Sequence, residues 1–100
     1  MIECIIDTHC HLNAIEHWED ALINAIKKGI IEIWIPALLP SDIEQTHKIL
    51  EKYPDNIKLM CGLHPLYVLP ENYIKHLKAL EKYLLSNWNS WQISIIGEAG

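Results

Sequence analysis

Four short apolar runs begin at Ile2, Ile30, Ile57 and Ile93, and the stretches between them carry helical periodicity. No other feature constrains the fold as tightly. The starts lie 28, 27 and 36 residues apart, room for a strand, a crossover helix and its connections, so the pattern predicts right-handed β-α-β units in a parallel sheet. The expected class is α/β, a parallel β-α-β-α-β-α-β unit. Four strands with three helices are closer to half of an eight-stranded barrel than to a finished open sheet. Residues 1–100 are read as a single domain, because no linker is long enough to separate two.

Local signals set the expected boundaries. Ile2 to Ile6 is β-branched and continuous, which predicts a strand covered on both faces, with Cys4 and, farther on, Cys61 as small core residues. Trp18, Ala21, Leu22, Ala25 and Ile26 recur at three and four, acidic residues precede Lys27 and Lys28, and Gly29 offers a stop. The second strand, Ile30 to Ile35, is closed by Pro36. Ser41 with Glu44 reads as a capping box for a helix from Asp42 to about Tyr53, ended by Pro54. Ile57 to Cys61 is the third strand. Pro70 and Glu71 open a longer helix whose buried stripe is expected to be Tyr73, Leu77, Leu80 and Leu84. A polar link then feeds a fourth strand, Gln92 to Ile96. A half barrel leaves its first and last strands at open edges, so self-association or a missing carboxy-terminal half-barrel is the expected partner.

Charge narrows the function classes. The net charge is −5 and there is no arginine, so a long basic groove for nucleic acid is not indicated. A phosphorylated substrate would need metal ions to supply local positive charge. No run approaches the roughly 18 apolar residues of a membrane span, and the start lacks a signal-peptide pattern; no membrane partner and a cytoplasmic location are expected. Three cysteines without Cys-x-x-Cys spacing indicate neither a disulfide framework nor a zinc knuckle.

Active sites of parallel α/β units sit at the carboxyl ends of the strands. Asp7, His9 and His11 follow the first strand, His64 the third and Glu98 the fourth. Residues two apart in an extended segment share a side, so His9 and His11 can offer neutral imidazoles to one cation. Cys10, between them, should point away. Asp7 is a supporting carboxylate or a plain turn carboxylate. Glu98 has two oxygens with which to bridge two cations, and Gly97 and Gly100 allow close backbone approach beside it. His64 follows Gly62 and precedes Pro65; it is a phosphate donor, a proton shuttle or a loop-packing residue. Trp34 can line a cleft. His17, His47 and His76 fall in helical stretches and are read as surface or partly buried residues.

The ordered set Asp7-Thr8-His9-Cys10-His11-Leu12, Gly62-Leu63-His64-Pro65 and Ile96-Gly97-Glu98-Ala99-Gly100 resembles the amino-terminal part of the TatD family of metal-dependent deoxyribonucleases. The resemblance implies half of a TIM barrel of the amidohydrolase-like kind. It matches His9 and His11 to metal ligands, Glu98 to the carboxylate bridging two divalent ions (Mg, Mn or Zn), and His64 to a histidine at the site's mouth. Glu98 and His64 are the implied catalytic positions, with Asp7 behind the ligands. DNA ends are the implied substrate, through metal-dependent phosphodiester hydrolysis. Asn13 stands where the family commonly has aspartate, and the family's later ligands have no counterpart here, so the 100 residues alone are expected to lack a complete site.

Two other readings compete. A non-catalytic assembly or accessory protein derived from a truncated barrel would keep the histidine rim without using it. A small amidohydrolase-like enzyme acting on a carbonyl or lactone shares the His-x-His rim but fits Gly62-Leu63-His64-Pro65 less well.

Overall fold

A computed structural model describes residues 4–87 and 95–97. Four strands, β1 (Ile5–Asp7), β2 (Ile30–Pro36), β3 (Ile57–Cys61) and β4 (Ile95–Ile96), alternate with helices α1 (Trp18–Lys27), α2 (Pro40–Lys52) and α3 (Tyr73–Asn87). All pairs are parallel and the spatial order is β1-β2-β3-β4. An order that never reverses is the winding of a barrel, since a doubly wound sheet turns back at a switch point. The fold is an α/β unit with a parallel sheet flanked by helices, a partial TIM-barrel-like arrangement.

Register sorts the strand residues between the two faces. Ile33 pairs with Ile57 and Ile35 with Leu59, and these four join Leu22 of α1 and Ile43 and Ile49 of α2 in the buried core. The intervening positions Trp34 and Lys58 also pair, on the opposite face. One face therefore carries the helices while the other would line a barrel interior. At the far edge Gly97 donates its N–H to the Cys61 carbonyl at 2.9 Å, and a Cβ there would lie 2.6 Å from the Met60 Cβ. The close approach expected at Gly97 is thus used to seat β4 against β3.

Helix ends follow capping chemistry with one shift. Gly29 has φ of 102°, the left-handed geometry of a helix stop. Helix α2 starts at Pro40, two residues before the expected Asp42. The pair Ser41 and Glu44 is not the cap: Asp42 Oδ2 accepts the N–H groups of Leu38 and Leu39, each at 3.1 Å. Proline suits the first helical position because its φ is already helical and its missing N–H is not needed there.

Three burial expectations are corrected. Strand β1 is not covered on both faces: Ile5 and Ile6 are 40% and 46% exposed and Cys4 is exposed. Among the described residues it lies at the sheet edge and pairs only with β2. Asp7 lies within the strand. In α3 the packed residues are Leu80, Tyr83 and Leu84, whereas Tyr73 and Leu77 are 40% and 49% exposed. They border an apolar recess of about 270 Å³ whose other walls include Cys61 to Leu63, Val68 and Ile96. Cys61 is fully buried as expected, and burial pushes its thiol up to about 11. Gln92 to Ser94, expected in the fourth strand, lie outside the described residues.

Candidate functional site

The site grows from the way β1 ends. Asp7 Oδ1 accepts the backbone N–H of His9 at 3.1 Å, an Asx-type turn that breaks the strand just before the histidines. Cys10 N–H donates to the Trp34 carbonyl at 3.1 Å, which ties this turn to the neighbouring strand. Leu12–Ala14 then form a short 3-10 turn with Leu12 buried, and Asn13 lies within it.

His9 and His11 meet edge to face, with ring centroids 5.1 Å apart at 86°. Two imidazoles sharing a cation at about 2.1 Å, with a near-tetrahedral angle between them, have centroids roughly 5 Å apart. The 5.1 Å separation of His9 and His11 is of that size. Cys10 packs against the helix-side core. Burial, then the nearby Asp7 charge, raises its pKa.

His64 stands at the matching end of β3. Its N–H donates to the Leu38 carbonyl at 3.0 Å, joining the loops that follow β2 and β3. Its Nδ1 accepts the Leu66 N–H at 3.1 Å. An accepting Nδ1 puts the proton of the neutral ring on Nε2. His64 is thereby set as a hydrogen-bond donor through Nε2, and its ring packs against Tyr67 at 5.7 Å.

Of the expected site residues, the structure brings His9 and His11 together and places the Asp7 carboxylate against the His9 backbone. Glu98 lies outside the described residues. Among the described residues, no group of three or more His, Cys, Asp or Glu side chains is arranged to hold a metal. His47, expected as an ordinary helical histidine, bridges α2 and α3: Nδ1 lies 2.7 Å from the Tyr83 hydroxyl and Nε2 2.9 Å from Glu51.

Sequence reasoning missed a polar cluster on the barrel-side face. Lys58 Nζ lies 2.9 Å from Glu32 Oε1 and 5.1 Å from the Trp34 ring centroid, and Trp34 Nε1 donates to the same carboxylate. The two charged side chains are only 15–18% exposed. The available signal was one charge inside each of two adjacent apolar strands, of opposite sign. Burial pushes the Glu32 pKa up, but hydrogen bonds from Lys58 and Trp34 outweigh it and hold the carboxyl below the ordinary glutamate value of 4.5. A depressed carboxylate contributes stability that is present above about pH 4.5 and is lost as pH falls through the folded-state pKa. Lys58→Met should therefore cost about 2 kcal/mol at pH 7, and less at pH 4, because without Lys58 burial favours the protonated carboxyl of Glu32. Urea midpoints at both pH values check this; an equal cost at each would show that the pair does not titrate with folding.

Known proteins supply an independent comparison. A family model described as TatD related DNase matches residues 6–100. The chain is 33% identical over 101 aligned residues to an uncharacterized metal-dependent hydrolase of Mycoplasma genitalium, an overlap of 94% of this chain and 36% of that relative. A second uncharacterized metal-dependent hydrolase, from Haemophilus influenzae, is 30% identical over 67 residues, 62% of this chain and 26% of its own. The chain thus spans about a third, or less, of the length of the curated relatives it matches.

Proposed function

Because the chain belongs to the family of TatD related DNases, we propose that it corresponds to the amino-terminal half of a metal-dependent barrel hydrolase that cleaves phosphodiester bonds at DNA ends. The observation that carries this reading is the pair of imidazoles 5.1 Å apart at the tip of β1. His9 and His11 would hold a divalent ion, and Glu98, matched by resemblance, would bridge to a second. Divalent cations held there would supply Lewis-acid chemistry, activating water and compensating phosphoryl charge.

The chain's own groups then have distinct tasks. Asp7 holds the His9 backbone and so sets where that imidazole starts. His64, with its proton on Nε2, donates a hydrogen bond to a non-bridging phosphoryl oxygen as charge accumulates on it. Cys10 stays on the core side and does not compete for metal. A site that admits only a terminal phosphate needs no long basic groove, consistent with a net charge of −5.

Metal titration combined with turnover of single-stranded DNA tests the reading. The 100-residue chain is expected to bind Mn²⁺ with little or no turnover, and a chain carrying both halves of the barrel to bind and turn over. Failure of both forms to bind Mn²⁺ overturns the proposal. Full turnover by the 100-residue chain overturns its incompleteness. The exposed apolar residues of α3, Ile74, Leu77 and Leu85, favour a second reading, an accessory protein that presents them to another chain. A tight oligomer that binds no divalent metal is its signature.

A further inference from the structure

Four consecutive apolar residues, Leu66 to Leu69, follow the candidate donor His64, and each is at least 41% exposed, Leu66 reaching 80%. Scattered single exposures need no explanation, but a contiguous apolar run at the rim of a polar site does. The run is held in a defined shape. Leu66 N–H donates to His64 Nδ1, Tyr67 N–H donates to the His64 carbonyl at 2.9 Å, and Pro65 and Pro70 bracket the segment. Its side chains are therefore displayed by a backbone that is already ordered, which lowers the entropic cost of binding.

We propose that Leu66 and Tyr67 form a base-stacking lip beside His64, on which the nucleobases of a bound strand rest while its terminal phosphate lies at the His9–His11 tip. The inference depends on the phosphodiesterase reading above and adds the contact that would hold the strand. Two observations select a nucleobase as the occupant. Tyr67 is 44% exposed and its ring already packs edgewise on His64, so the lip adjoins the candidate phosphate donor. The chain also has net charge −5 and no arginine, so a contact to the bases would add affinity beyond what cations at the site give the terminal phosphate. Stacking on an aromatic ring can supply it, because every base has a π face and the interaction tolerates any sequence.

The experiment compares a fluorescein-labelled oligothymidine with an abasic strand of equal length by anisotropy, using the full chain in Ca²⁺. The base-bearing strand should bind roughly 5- to 150-fold more tightly. Tyr67→Ala should erase most of that preference. Tyr67→Phe, which keeps the π face and loses the hydroxyl, should retain it; a Phe variant that behaves like Ala would overturn stacking as the cause. Equal affinity for the two strands, no binding of either, or a preference that survives Tyr67→Ala would overturn the lip. Mn²⁺ binding measured on the same preparation should be unchanged in Tyr67→Ala. Its absence both from the unmutated chain and from a chain carrying both halves of the barrel would instead refute the metal-hydrolase reading on which the lip depends.

Discussion

Replacing His9 or His11 with alanine is expected to abolish tight divalent-metal binding and leave the fold intact. Loss of a partner that merely orients a ligand typically costs about 10- to 100-fold in metal affinity, so loss of the ligand itself should cost about 100-fold or more. His9 is exposed and His11 half-buried, and neither belongs to the core. Thermal stability without metal should therefore change by less than about 1 kcal/mol. Cys10→Ser is the matched control: its side chain packs against the core on the helix side, so Mn²⁺ affinity should stay within about twofold of the unmutated chain. Isothermal titration of the three variants separates the outcomes. A Cys10→Ser variant that loses metal as the histidine variants do would mean that the turn presents its other side.

The largest stability effect is expected at Leu59. Its side chain is fully buried in β3, which pairs with β2 on one side and β4 on the other. Leu59→Ala removes three carbons and leaves a cavity that a sheet pinned on both sides cannot collapse. The expected cost is about 3 kcal/mol. For a unit of this size each kcal/mol lowers the melting temperature by about 4–8 °C, so the midpoint should fall by more than about 10 °C. Leu66→Ala, the same change at an 80% exposed position, should shift stability by about 0.5 kcal/mol at most. Differential scanning calorimetry of the pair tests whether burial, rather than side-chain type, sets the cost.

Much of the fold was legible because strand–helix alternation is a one-dimensional signal. Gly29 stopped α1 where the pattern placed it, and β3 occupies its expected range. The errors came from neighbours that sequence spacing cannot identify. Ile5 and Ile6 have the composition of a doubly covered strand, yet they sit at a sheet edge. Tyr73 and Leu77 continue the apolar stripe of α3 but border an open recess and stay 40% and 49% exposed. The start of α2 was misplaced because Ser41 and Glu44 match a capping motif that Pro40 and Asp42 satisfied earlier in the chain.

At the candidate site, the positions of His9 and His11 after a strand, and their two-residue spacing, were written in the chain, because the carboxyl end of a strand and the side shared by alternate residues follow from backbone geometry alone. Tertiary structure decided what the spacing left open: that Asp7 serves the His9 backbone, that Leu66 sets the tautomer of His64, and that Glu32 and Lys58, 26 positions apart, meet beneath Trp34. Those are pairings across strands and turns. Their existence depends on which groups packing brings within hydrogen-bonding distance, a quantity that local periodicity does not contain.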